Sequence, residues 1–427
     1  MTAGDWTFYT AAVMHTACVP TGRPVDAEIE SCFQADHRMT QRIRVLFVIG
    51  TMSGGGAERQ VVEILRLIDR TRFEPLLCLA TRSGELLDQV PPDVPIFAFQ
   101  DSTAESWWRR LARRCKLSPL LRYVHLARVL RRERIDIVYD RTCRATLDAA
   151  GATWIRPTPR VSCCVAQPEL EFGADWRGAF RRRFARAAYR RASLVVANSD
   201  GLRERVIEYY GLPPEHVVTV GNLIDLEDLD RRANDTSVDI PAVPFLLVTA
   251  GRLHPEKGFR YLLEAIDLLV HDRQCSLLLV ILGTGPQEAE LREFIQSRKL
   301  QNHVRLGGFV ANALPWFRRA NLFVLSSLNE GLPNSLLEAV ACGTPAVSTD
   351  CLNGPREILE QGKLGELVPP GDSMALANAI QSAMDHYPDW QQRAIMARES
   401  VRHRYDARAG ILQLQELLTT VLRNAGL

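Results

Sequence analysis

Phe245-Leu246-Leu247-Val248-Thr249-Ala250 runs directly into Gly251-Arg252-Leu253-His254-Pro255-Glu256-Lys257-Gly258, and the order of these two stretches decides how the chain is read. A short aliphatic, β-branched run closed by a loop bearing glycine and proline predicts a buried strand ending in a turn. A helix is expected behind it at 258–270, then a strand at 276–282 and a helix at 286–299. Strands at 303–306, 321–325 and 345–349, with a helix at 333–342, continue the series. Alternation at this spacing predicts a parallel sheet covered on both faces.

The same alternation lies upstream. Strands are expected at 43–49, 75–80, 135–139, 159–165, 194–197 and 216–220, with helices at 57–68, 120–134, 176–191 and 199–210. Between the two series, Asn234-Asp235-Thr236-Ser237 with Pro241 and Pro244 has the composition of a linker. The 427 residues also exceed what one hydrophobic core holds. The expected fold class is therefore α/β, with two doubly wound parallel-sheet domains at 41–225 and 245–388. A linker at 226–244 joins them, and helices follow at 389–427. Residues 1–40 show no period and are expected to be a disordered extension, or to precede the true start near Met39.

Composition excludes several classes. Hydrophobic residues are 46% and charged residues 24%, which is globular and not disordered. The densest apolar run, Leu277–Leu282, has six residues, far short of the ~18 that a membrane span needs. The N-terminus carries no secretory pattern. Ten cysteines without a C-x-x-C pair fit reduced thiols in a cytosolic protein better than zinc or disulfides. Residues 41–199 hold 28 basic against 16 acidic side chains, and residues 200–427 hold 22 against 29. Such asymmetry speaks of partners.

In open parallel sheets ligands bind where strands give way to helices, so those turns hold the candidate site residues. Ser53-Gly54-Gly55-Gly56-Ala57-Glu58 allows close backbone approach and points helix N–H groups at an anion. It is neither a Walker loop nor a dinucleotide fingerprint. Arg252 and Lys257, five residues apart across a proline-stiffened loop, are placed to meet a diphosphate. In Ser326–Ala339, Gly331 turns the chain and Pro333 suits the first helical position. Asn334 and Glu338 are expected to stack on an exposed helix side, with Glu338 about 7–8 Å along the axis from the helix start. That is the offset between a diphosphate and the ribose of one nucleotide.

These motifs together resemble the retaining glycosyltransferases of family 4. The matching residues are the E-x7-E pair Glu330/Glu338, Gly251–Gly258, Gly283-Thr284-Gly285-Pro286, Ala197-Asn198-Ser199, Gly221–Asp225 and Glu338–Val347. The resemblance implies the GT-B fold, two Rossmann-like domains facing a cleft. It further implies that Arg252 and Lys257 hold the donor diphosphate and Glu330 the transferred sugar. Glu338 would take the ribose, and Gly331, Leu332, Pro333, Asn334 and Ser335 would line the donor. Gly55 and Gly56 would face the acceptor. Where many family members have a histidine after the strand at 159–165, this chain has Gln167, expected to hydrogen-bond the sugar. Gly331–Glu338 with Gly354-Pro355-Arg356-Glu357-Ile358 look most like members that use UDP-hexoses or UDP-N-acetylhexosamines.

The implied reaction is metal-independent, with retention of configuration and no cofactor; the nucleotide sugar is a substrate. Asp228-Leu229-Asp230 spells a metal motif of another transferase fold, in the linker. Ten basic residues and one acid at 106–134, beginning at Trp107-Trp108, and seven arginines at 177–191 suit an anionic membrane surface better than nucleic acid. Arg141, with Arg144, is expected to meet a phosphorylated acceptor. The expectation is thus a cytoplasmic enzyme peripheral to the inner membrane face, acting on a lipid-linked or anionic glycan acceptor. Two other readings share the motifs: a UDP-N-acetylglucosamine epimerase of the same fold, and a catalytically silent nucleotide-sugar-binding subunit.

Overall fold

The computed structural model describes residues 42–99, 118–172, 176–351 and 354–427. The expected N-terminal extension lies outside the described residues, as do Trp107, Trp108 and the basic stretch up to Leu117.

Seven parallel strands form the first sheet among the described residues: β1 (Ile43–Ile49), β2 (Phe73–Leu79), β3 (Ile96–Ala98), β4 (Ile137–Arg141), β5 (Arg160–Cys164), β6 (Leu194–Ala197) and β7 (Val217–Thr219). Their order is β3-β2-β1-β4-β5-β6-β7. The second sheet has β8 (Leu246–Ala250), β9 (Leu278–Leu282), β10 (Val304–Gly308), β11 (Leu322–Leu325), β12 (Ala346–Thr349) and β13 (Glu366–Val368), ordered β10-β9-β8-β11-β12-β13. Strand order reverses between β1 and β4 in one sheet and between β8 and β11 in the other. Both reversals are the switch points at which α/β sheets open a crevice at their carboxyl ends.

Helices α1 (Gly56–Leu67), α2 (Ser118–Arg132), α3 (Cys143–Ile155), α4 (Trp176–Arg190) and α5 (Asp200–Tyr210) belong to the first sheet. Alternation along β1 sends Val45, Phe47 and Ile49 to one face, where Val61 and Leu65 of α1 meet them. Leu46 and Val48 go to the other face, against Leu126 and Leu130 of α2 and Ala149 of α3. This is why the strand reads as apolar throughout. Next come α6 (Leu226–Ala233), α7 (Phe259–Asp267), α8 (Glu288–Ser297), α9 (Leu314–Arg319), α10 (Asn334–Ala341), α11 (Gly354–Ile358), α12 (Ser373–Asp385), α13 (Tyr387–Arg404) and α14 (Ala407–Asn424).

Several elements differ from the sequence reading. The 226–244 stretch opens with α6, capped by Asp225, whose carboxylate accepts from the Glu227 and Asp228 amides at 3.0 and 3.1 Å. Asp228 and Asp230 are absorbed by arginines. Asp230 pairs with Arg398 of α13 at 2.5 Å and with Arg318, and Asp228 pairs with Arg231 and Arg232. Among the described residues, no group of three or more His, Cys, Asp or Glu is arranged to hold a metal. Helix α3 has no amphipathic period because it is buried on most sides; Ala145, Ala149, Ala150 and Ala152 all contact the interior.

The two C-terminal helices part company. Helix α13 packs on the second sheet's helices, with Ala397 and Val401 in that core. Helix α14 returns to the first domain, where Ile411, Leu414 and Leu418 join the core of β1 and α1. The chain therefore crosses between domains twice, and the crossings are bonded together: Ile224 N–H donates to Tyr405 O at 2.9 Å and Ala407 N–H to Ile224 O at 3.1 Å.

Leu418 is fully buried in a core that the first 225 residues leave incomplete. Leu418→Ala is expected to cost about 2–5 kcal/mol, read as a lowered urea midpoint. An unchanged midpoint would mean that α14 is an appendage.

Candidate active site

The loops after β8 and β11 leave the second sheet side by side at its switch point. Lys257 closes the turn Pro255–Lys257, and Gly258 caps it in the left-handed conformation. Lys257 Nζ donates to Glu330 Oε1 at 2.6 Å, and the Ser327 hydroxyl donates to the same oxygen at 2.7 Å. The side chains are 25% and 11% exposed, so the pair sits in a crevice still reached by solvent. Arg252, two residues past the end of β8, is exposed. Its charge reaches Glu58 at the start of α1.

Pro333 lies just before α10 with extended backbone, so the helix begins one residue later than the sequence suggested. Leu336, Leu337, Ala339, Val340 and Ala341 are its buried side. Ser335 is half-buried beside Asn334.

Asn334 and Glu338 are not on an exposed face. The first domain covers them. Asn334 Oδ1 accepts from Asn222 Nδ2 at 2.9 Å and from Gln60 Nε2 at 3.3 Å. Glu338 Oε2 is ion-paired with Arg59 Nη1 of α1 at 3.4 Å. Gly331 is pressed against the end of β5: a Cβ there would lie 2.3 Å from Val165 O. Leu332 O accepts from Asn222 Nδ2 at 3.2 Å.

On the first-domain side, Gly55 caps α1, and a Cβ on Gly56 would lie 2.3 Å from Asn334 Nδ2. Gly56, expected on the acceptor side, makes room for the Asn334 side chain that opens α10. Burial raises the Glu58 carboxyl above its ordinary range, against the opposing pull of its own backbone N–H, Arg252 and Arg141. Arg141 is buried, with Nη2 donating to Asn222 Oδ1 at 2.8 Å and Nη1 to the Tyr139 hydroxyl at 3.4 Å. Its guanidinium therefore braces Asn222, which in turn holds Leu332 and Asn334. Arg144 is exposed on α3. Gln167 is buried immediately before the turn at Pro168–Leu170, one strand over from Arg141.

The sequence reading did not single out Arg59 and Gln60. Gln60 bonds Leu223 on both sides, through Nε2 to its carbonyl at 3.0 Å and through Oε1 from its amide at 2.6 Å. A signal was present: Gln60 is one turn before Ile64, on the otherwise aliphatic face of an amphipathic helix.

Residues 54–228 match the model of Glycosyltransferase Family 4, and residues 244–386 match the model of Glycosyl transferases group 1. The crystal structure of Anabaena HepE in complex with UDP and glucose superimposes with a TM-score of 0.72 at 25% identity, covering 88% of this chain and 100% of that one. The lipopolysaccharide core biosynthesis glycosyltransferase LpsE of Rhizobium meliloti is 30% identical over 236 residues, 53% of this chain and 66% of its own length. The Campylobacter jejuni N-acetylgalactosamine-N,N'-diacetylbacillosaminyl-diphospho-undecaprenol 4-alpha-N-acetylgalactosaminyltransferase is 29% identical over 197 residues, 46% of this chain and 52% of that one. The chain spans about half the length of the curated relatives it matches. Two Rossmann-like domains with these motifs define a GT-B protein. The chain belongs to glycosyltransferase family 4.

Removing Asn222 would strip a buried guanidinium of its charged hydrogen bond and free the α10 turn. Asn222→Ala is expected to lower unfolding free energy by about 2–3 kcal/mol, measured by denaturant titration. A midpoint equal to wild type would show that Arg141 finds another partner.

Proposed function

We propose that the protein is a retaining glycosyltransferase that moves a hexose or N-acetylhexosamine from a UDP-linked donor to a lipid-linked acceptor at the cytoplasmic face of the membrane. The observation that carries this reading is the 2.6 Å pair of Lys257 and Glu330 at the second switch point. A glycosyl phosphate presents an anion on one side of its breaking bond and a sugar ring on the other. An ammonium and a carboxylate in contact match those two halves. Lys257 and Arg252 meet the diphosphate with the amides that open α10, and Glu330 accepts from sugar hydroxyls. Glu338 takes the ribose.

As the C1–O bond breaks, negative charge gathers on the departing phosphate. Fixed cations aimed there lower the barrier more than they tighten ground-state binding. The acceptor oxygen bonds C1 from the same face, and its proton passes to the departing phosphate. No step in this scheme requires a metal or a cofactor.

No described helix is long and apolar enough to cross a membrane. A structural neighbour in complex with UDP and glucose supports the choice of donor. Two observations support the choice of acceptor. One relative's name specifies a diphospho-undecaprenol substrate. The first domain also exposes a patch across three helices. Leu120 of α2, Ile155 of α3 and Phe180 of α4 are 60%, 56% and 69% exposed. Trp154, the residue before Ile155, is also exposed, edge-on to Phe184 at 4.9 Å, with the Arg191 guanidinium 5.5 Å from its ring centre. Apolar and aromatic side chains rimmed by arginine suit an anionic lipid surface. The buried sides of α2 and α4 are ordinary core: Leu126, Ala127 and Leu130 in α2, and Ala185, Ala188 and Tyr189 in α4.

The test combines donor, acceptor and membrane. The enzyme is incubated with UDP-glucose or UDP-N-acetylglucosamine and a polyprenyl-diphosphate-linked sugar, and the products are analysed for linkage. Transfer with retained configuration is expected, reduced roughly 100-fold or more in Lys257→Ala. Transfer to soluble sugars alone, or conversion of UDP-N-acetylglucosamine to an epimer without acceptor, contradicts the reading. Phe180→Asp is expected to weaken sedimentation with anionic vesicles at low salt while sparing turnover on a short soluble acceptor. Equal sedimentation of both proteins would place the contact elsewhere.

A further inference from the structure

Arg59 stands on the first domain, yet its guanidinium meets the carboxylate assigned above to the donor ribose on the second. Nη1 lies 3.4 Å from Glu338 Oε2, and the two side chains are 27% and 16% exposed. Arg59 sits in the first turn of α1, four residues after the capping Gly55, whose carbonyl accepts its amide at 3.0 Å. The next residue, Gln60, is locked between Leu223 and Asn334. The Arg59 backbone is therefore fixed relative to α10. Behind the pair lies a cavity of about 70 Å³ lined by Arg59, Glu63, Asp225, Asp228, Leu314 and Glu338.

A carboxylate has two oxygens and about four acceptor positions. Reading a ribose 2′,3′-diol requires the carboxylate to be ionised and one of its oxygens to be turned towards the diol. With one oxygen drawn to Arg59, the plane of the Glu338 carboxylate is set from outside the second domain, and its other oxygen is left to the ligand.

We propose that Arg59 is a positioning residue for nucleotide recognition: it orients Glu338 across the domain boundary, so that the donor's ribose is read by both domains at once. This rests on the assignment of Glu338 to the ribose, and the test separates the two. Affinities for UDP and for 2′,3′-dideoxy-UDP are measured by calorimetry on the full-length wild type, Arg59→Ala, Arg59→Lys and Glu338→Ala.

Wild type is expected to favour UDP by roughly 10- to 100-fold, the worth of hydrogen bonds to a charged group. Arg59→Ala is expected to keep its affinity for the dideoxy analogue within about twofold while losing most of that preference, as Glu338→Ala does. Arg59→Lys is expected to restore much of it. If wild type shows no preference, the ribose assignment fails and the inference with it. If wild type and Arg59→Ala show the same preference, the assignment stands and the role of Arg59 is overturned. Equal weakening of both ligands in Arg59→Ala marks a merely structural effect, and tighter UDP binding marks a latch; either outcome overturns the inference. Should Arg59→Ala not fold, Arg59→Gln carries the same comparison.

Discussion

Opposite charges on Lys257 and Glu330 meet where β8 and β11 both end, and everything proposed about chemistry depends on that contact. Its stabilising value is small, because both side chains are reached by solvent and screened. Its value is positional. An ammonium on one loop and a carboxylate on the next can stand 2.6 Å apart only if the strands that carry them are neighbours. The doubly wound order makes them so: β8 and β11 pair directly at Leu247–Leu322 and Val248–Phe323.

A second constraint ties this site to the rest of the molecule. The N-terminal turn of α10 is gripped through Asn334 by Asn222 and Gln60, and Asn222 is in turn braced by the buried Arg141. All of these partners lie at the first domain's end of the crossing strands, where Ile224 and Tyr405–Ala407 are bonded together. Movement of one domain against the other would pull on the turn that opens α10 before it disturbed either core. Closed contact of Gly331 with Val165 and the reach of Arg59 to Glu338 are both features of this arrangement. If Glu338 reads the donor ribose as proposed, movement between the domains and nucleotide recognition draw on the same contacts.

Much of the fold was legible in sequence because it announced itself locally. The strands at 43–49 and 245–250 are apolar on both faces, and glycine and proline mark the turns that follow them. The site loops were legible for the same reason, since Arg252, Lys257 and Glu330 all sit beside turn residues. Helix α3 was not, because an alanine-rich helix buried on most sides has no period to detect. Asn334 and Glu338 were expected on an open surface because helical spacing reports which residues share a face and says nothing of what covers it. Their partners, Gln60 and Arg59, are more than 270 positions away in the chain. The return of α14 to the first domain is likewise a long-range fact with no local mark. Arg141 was expected to meet a ligand; burial beside Tyr139 and Asn222 gives it a structural task first.

Titration of UDP into the double variant Arg252→Ala/Lys257→Ala tests the central claim most directly. If a pyrophosphate lies between that guanidinium, that ammonium and the first amides of α10, affinity should fall roughly 100-fold or more relative to wild type, while uridine alone binds both proteins equally. Undiminished UDP binding by the double variant would contradict the account at its root.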